Sequence, residues 1–190
     1  MIDLRARQIV EFHDDRSAAA QASGLWRAIE DNHRHNRLLW GEEDLARRRE
    51  VPDAEIAKNK RAIDGYNQKR NDAIERIDEH LLAALENVQR KEKARLNSET
   101  AGGIVDRLSI LSLKIHHMRL QTERRDVDGA HIENCKLKLN RLNEQRTDLA
   151  SCLERLLAEA QRGESYFKVY RQFKMYNDPA LNPAIYGEKR

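Results

Sequence analysis

The sequence predicts an all-α antiparallel bundle of four long helices, with a short N-terminal helix before it and an aromatic C-terminal helix or strap after it. Three observations carry this. Ala, Glu, Lys, Leu and Arg make up 95 of the 190 residues, a share that goes with long helices when the apolar residues recur at helical period. The chain has three prolines and eight glycines, and no proline falls between Pro52 and Pro179. That excludes a many-turned β-sandwich and a collagen-like chain. Apolar residues recur at alternating spacings of three and four along the long segments. The length fits one bundle domain over residues 1–162 with a strap over 163–190 packed on it.

The first element is a short helix over about residues 3–13. A long helix follows from Ser17, a candidate N-cap, to about Arg49. Val51-Pro52-Asp53 breaks the chain, and Asp53 is expected to cap the next helix, which runs to about Lys93 with Gly65 as a weak point. Leu96 to Gly103 reads as a loop rich in Asn, Ser, Thr and Gly. A third long helix spans about Gly103–Arg125, and Asp126 to Gly129 turns the chain. The fourth runs from about Ala130 to Gln161 and stops at Gly163.

The seams differ in chemistry. On the fourth helix Ile132, Cys135, Leu139, Leu142, Arg146, Leu149, Leu153, Leu156 and Ala160 form a heptad seam with one charged member. On the third, Ile104, Leu108, Leu111, Ile115 and Met118 form one apolar face. Ile110, Leu113, His117 and Leu120 form the opposite one. A helix apolar on two faces lies between neighbours, in the centre of the bundle or between its core and a homodimer interface. The first long helix places Trp26, Ile29, His33, Asn36, Trp40, Glu43 and Arg47 on its seam. The second places Ile56, Lys60, Ile63, Asn67, Arg70, Ile74, Ile77, Leu81, Ala84 and Val88 there. Polar groups thus occupy core positions in mid-helix. Burying one unpaired costs about 1–3 kcal/mol, so these positions need partners, water or a ligand.

His33, Asn36, Asn67, Arg70 and Arg146 therefore form the first candidate site, a polar pocket inside the bundle. Its arginines would grip phosphate or carboxylate bidentately. The competing reading is a self-paired network that fixes helix register. A second candidate is the stretch from Leu96 to Arg107. Ser98 or Thr100 can cap the helix there, Gly102 and Gly103 let a ligand approach the backbone, and Glu99 and Arg107 flank it. Ordinary capping, with Asp106 well placed in the first turn, explains the same residues. The Gly-Lys-Ser/Thr element of a P-loop is missing.

Metal chemistry has weaker support. Glu30-Asp31-Asn32-His33 has the Glu-x-x-His spacing of di-iron bundles, which need two such motifs and two further glutamates. No other histidine has a Glu three residues before it. Glu75-Arg76-Ile77-Asp78 matches half of the acidic motif of all-α nucleotide pyrophosphohydrolases, and the Glu-x-x-Glu half is missing. His116-His117 reads as one packed and one solvated histidine. In the tail, Tyr166, Phe167, Tyr170, Phe173, Tyr176 and Tyr186 alternate with Lys168, Arg171 and Lys174. Such interleaving can serve single-stranded nucleic acid, but packing of rings onto the bundle is the expectation.

Net charge is +3 and the basic residues are interspersed with acidic ones, unlike the basic stripe of a dedicated nucleic-acid binder. Met1-Ile2-Asp3-Leu4-Arg5 is charged where a signal peptide would be apolar. No apolar stretch approaches the ~20 residues that span a bilayer. A cytoplasmic protein is expected. Cys135 and Cys152, on one helix roughly 25 Å apart, cannot pair there and are expected to be reduced and buried.

One resemblance covers about residues 20–187. Its pieces are His33-Arg34-His35-Asn36-Arg37-Leu38-Leu39-Trp40, Asn67-Gln68-Lys69-Arg70-Asn71-Asp72, Leu96-Asn97-Ser98-Glu99-Thr100, Ile104 to Leu111, Lys114 to Met118, Lys174-Met175-Tyr176-Asn177-Asp178 and Leu181-Asn182-Pro183. Together they resemble an uncharacterised bacterial domain-of-unknown-function family often encoded near glycosyltransferases of cell-envelope polysaccharide assembly. What the resemblance implies is a setting, cell-surface glycan synthesis, and no catalytic residue.

The expected function is a non-catalytic binding or accessory protein for envelope glycan assembly. Its intra-bundle pocket would take an anionic ligand, a sugar nucleotide or sugar phosphate. Arg70, Arg107 and Arg146 would hold charge, His33, Asn36 and Asn67 would orient the ligand, and Glu99 completes the set. No cofactor or resident metal is expected. One alternative is a metal-dependent phosphoester or pyrophosphate hydrolase using Glu75, Asp78, Glu99 and Asp106. Another is a purely structural scaffold.

Overall fold

A computed structural model describes residues 4–14, 24–171, 175 and 178–187. The described chain is an all-α bundle. Its helices are α1 (Ala6–Asp14), α2 (Gly24–Leu45), α3 (Asp53–Ala84), α4 (Ala101–Thr122), α5 (Gly129–Gln161) and the short α6 (Pro183–Tyr186). Two two-residue strands, β1 (Arg95–Leu96) and β2 (Ser165–Tyr166), pair in parallel with Arg95 opposite Ser165. The candidate cap Ser17 and the tail residues Phe173, Lys174 and Tyr176 lie outside the described residues.

Local chemistry sets the helix ends. The Thr100 hydroxyl accepts from the Gly103 N–H at 3.0 Å, and Asp128 accepts from the His131 N–H at 2.7 Å. Each satisfies one of the donors that a helix start leaves open. Asp53, expected as a cap, is the first residue of α3 and follows Pro52 at the cap position. α3 ends at Ala84 rather than near Lys93. The following segment pairs with the chain after α5 instead: Lys91 N–H donates to Gly163 O, Arg95 N–H to Glu164 O and Asn97 N–H to Tyr166 O, at 2.7–3.0 Å. Gly163 sits at φ +69, and a Cβ there would lie 2.2 Å from Gln89 O. The turn that stops α5 therefore also lets the two segments meet.

α2 packs chiefly along α3 and α4 along α5, α2 and α3 also touch α4, and α1 rests on α4 and α5. The apolar core joins Leu4 and Ile9 with Ile29, Ile77, Leu81, Val105, Leu108, Leu153, Leu157 and Phe167. Burying each large side chain is worth about 1.5–3 kcal/mol. This cluster uses the start of α2 and α4 and the end of α3 and α5. The seam of α5 is buried or half-buried throughout, Arg146 included. On α4, Ile104, Leu108, Leu111 and Ile115 are buried, whereas the second face grades from buried Leu113 to exposed Leu120. Phe167 belongs to the core, while Tyr170 and Tyr186 are exposed. Cys135 is buried, but Cys152, expected to be buried, is exposed because it lies off the seam. No helix among the described residues is long and apolar enough to cross a membrane.

Candidate functional site

Beyond the apolar core the seam turns polar, as the sequence requires, and Asp106 is its hub. The Nδ2 groups of Asn32 and Asn36 both donate to Asp106 Oδ1 at 2.8 Å. Asn36 Nδ2 also donates to Ser109 Oγ at 3.0 Å, and His33 Nδ1 lies 2.8 Å from the same hydroxyl. Asn32, Asn36, Asp106 and Ser109 are all buried. Helical spacing assembles the cluster: Asn32 and Asn36 are four apart on α2, and Asp106 and Ser109 three apart on α4. This part of the seam is a mutually paired network.

Arg70 of α3 stands at its border. Its Nε is buried, makes no hydrogen bond and faces Asp106 Oδ1 at 3.9 Å. From there a cleft of about 380 Å³ opens, lined by Asn36, Leu39, Trp40, Glu43, Asp44 and Arg47 of α2, Asn67 and Arg70 of α3, and Ile110 and Leu113 of α4. Its volume lies within the ~300–1,000 Å³ common for small-molecule sites. Of the residues expected to bind ligand, Asn36, Asn67 and Arg70 line this cleft. The structure places the others elsewhere. His33 stacks on His13 with ring centroids 4.7 Å apart. Arg146 turns to α1, where its Nη1 contacts both carboxylate oxygens of Asp14 at 2.8 Å. Glu99 and Arg107 pair with each other at 2.9 Å and line a separate groove with Lys114, Asp148 and Cys152. Trp40, Glu43 and Arg47 were legible as seam positions but not as lining. Their i, i+3, i+7 spacing is the signal.

The start of α4 is closed to an outside anion. Asp78 of α3 already occupies it, accepting from the Gly102 N–H at 2.6 Å, while Thr100 takes the Gly103 N–H. Burial pushes the Asp78 carboxyl up to about 6, against hydrogen bonds from Thr100 and Gly102 that favour the charged form; Glu75 and Glu79 push it further up. The folded protein therefore holds this proton more tightly than the unfolded chain. The stabilising contribution is full below the unfolded value near 3.8 and is lost as pH rises through about 6. Asp78→Asn keeps an acceptor oxygen without the charge. It is expected to raise stability by about 2 kcal/mol at pH 8 and to change little at pH 4, read from urea midpoints. A loss at pH 8 would show that the ionised carboxylate is needed there.

His13 is buried with neither ring nitrogen hydrogen-bonded. Burial, then the neighbouring His33 and Arg146, hold its pKa well below the usual histidine range. The four carboxylates considered for a metal-dependent hydrolase are engaged separately: Asp78 at the start of α4, Asp106 in the amide network, Glu99 with Arg107, and Glu75 with Arg171. Among the described residues no group of three His, Cys, Asp or Glu side chains could hold a metal ion. His117 stacks on Trp40 with centroids 4.3 Å apart and planes within 7°, and meets His116 edge-on at 5.2 Å. Tyr166 carries Arg90 over its ring at 4.2 Å.

The family described as "Protein of unknown function (DUF4254)" matches residues 26–169, from the start of α2 to beyond β2. The chain belongs to this family. The DUF4254 match takes in the amide network and every residue of the cleft, and leaves out α1 with His13 and Asp14. No match was found among curated proteins or among solved structures.

Proposed function

We propose that this DUF4254 protein is a binding protein whose cleft between α2, α3 and α4 takes an anionic ligand. The carrying observation is Arg70: a guanidinium held at the cleft wall with a buried Nε that no acceptor satisfies. An unsatisfied buried donor costs about 1–3 kcal/mol, and its carboxylate neighbour at 3.9 Å is too far for a hydrogen bond. The guanidinium's outer edge borders the cleft, where a phosphate oxygen would accept charge-assisted hydrogen bonds from its Nη groups. Arg47 adds a second cation, and Asn36 and Asn67 add amides. In this reading the ligand is a sugar nucleotide or sugar phosphate, and the protein serves cell-envelope glycan assembly without performing chemistry itself.

The test is a titration series with pyrophosphate, glucose 1-phosphate and UDP-glucose, followed by calorimetry and thermal shift. Arg70→Met is expected to weaken binding at least about tenfold, the loss of one charge-assisted contact, and to lower the melting temperature as well, because Asp106 loses its counter-charge. Flat titrations with every anion would end the proposal. A second reading, a structural scaffold, is favoured by the mutual pairing of Asn32, Asn36, Asp106 and Ser109. It predicts that Arg70→Met changes stability alone.

A further inference from the structure

The cleft is not uniformly basic. Along one stripe of α2, residues 36, 40, 43, 44 and 47 bring in turn an amide, an indole, two carboxylates and a guanidinium, and all five line it. Two arginines thus face two acids in the same 380 Å³, and Arg47 Nη1 lies 2.7 Å from Glu43 Oε2. A bare oxyanion would meet the arginines but also the repulsion of Glu43 and Asp44. A ligand with a phosphate at one end and neutral hydroxyls beside it would use both signs, because carboxylates accept from hydroxyl donors.

The indole adds the third requirement. One face of Trp40 is covered by the imidazole of His117, stacked nearly parallel at 4.3 Å. That stack fixes the ring, and Trp40 borders the cleft beside Leu39, Ile110 and Leu113. A fixed ring with an apolar surround suits a flat aromatic group, which can extend an existing two-ring stack without ordering a side chain. Resting on the reading of the cleft as an anion site, we infer that its ligand is a nucleotide. Its base stacks on Trp40, its ribose hydroxyls donate to Glu43 and Asp44, and its phosphates lie against Arg70 and Arg47. The base and ribose, not the phosphate alone, then set affinity.

The experiment uses the full chain carrying Trp26→Phe, so that Trp40 is the sole tryptophan. Its fluorescence is titrated with UDP, ADP, GDP, ribose 5-phosphate and pyrophosphate. At least one nucleoside diphosphate should quench Trp40 and bind about tenfold or more tighter than ribose 5-phosphate, a margin within the range of one base–aromatic stack. In the Trp26-containing chain, followed by calorimetry, Trp40→Leu should erase that margin and leave ribose 5-phosphate binding unchanged. Trp40→Phe should restore most of it. If pyrophosphate and ribose 5-phosphate bind as tightly as every nucleotide, the nucleotide inference is overturned and the anion site stands. If none of the five binds, both fall.

Discussion

Asp106→Ala should cost about 3–5 kcal/mol of folding stability, a fifth or more of the roughly 5–15 kcal/mol that folded domains commonly have. The carboxylate is the common acceptor for two amide donors from α2 and the nearest negative charge to the Arg70 guanidinium of α3. Alanine leaves Asn32, which is fully buried, with no acceptor for its amide. It also leaves the half-buried Arg70 guanidinium without its counter-charge. Removing one partner of a buried network costs far more than the network's net worth, because the remaining groups keep their desolvation penalty. Asp106→Asn separates the two contributions. It retains an oxygen acceptor and loses only the charge, so it should cost less than half as much. Urea unfolding at pH 7 measures both. An Asp106→Ala loss under 1 kcal/mol would mean that Asn32 and Asn36 find other acceptors and that Asp106 is not the hub.

The elements that periodicity alone defines were legible, and the reason is visible on α5. Its seam from Ile132 to Ala160 faces inward at each position, because spacings of three and four put every member on one stripe wherever the neighbours lie. The polar residues behave differently. Arg146 sits on that same seam, but its partner is Asp14 of α1, 132 residues away, and no spacing on α5 encodes what stands opposite. Asn36 and Arg70 share a cleft and Arg107 does not, because the register of α2 against α3 and α4 decides which turns meet. The end of α3 was missed for a related reason. Lys91 to Arg95 has good helical propensity, but its backbone is claimed by Gly163 and Glu164 across the fold. Tertiary pairing overrides a local preference of a few tenths of a kcal/mol per residue.

Gly102→Ala should be nearly as damaging, about 3–5 kcal/mol, although a glycine inside a helix is ordinarily improved by alanine. The added Cβ would lie 2.6 Å from Ile74 O and 2.9 Å from the Asp78 carboxylate. The first of these is backbone in the interior of α3 and cannot swing aside. The start of α4 must therefore retreat, and it is tied at that point by the Gly102 N–H to Asp78 bond of 2.6 Å. Overpacking costs about 1–3 kcal/mol, and a buried carboxylate stripped of its backbone donor adds a similar amount. Asp106 lies one turn further along α4, so the displacement also reaches the hub of the amide network and, through it, the Arg70 wall of the cleft. On the proposed reading of the cleft, affinity for an anion should fall together with stability. Two other glycines serve as controls. At Gly103 a Cβ would meet the Thr100 hydroxyl at 3.3 Å and Glu99 Cγ at 3.6 Å, both side-chain atoms, and at Gly65 it would meet nothing within 4 Å. Gly103→Ala should change stability by less than about 1 kcal/mol, and Gly65→Ala should raise it by roughly 0.5–1 kcal/mol. If Gly102→Ala instead melts with the Gly65 variant, α4 does not approach α3 as closely as the 2.6 Å contact requires.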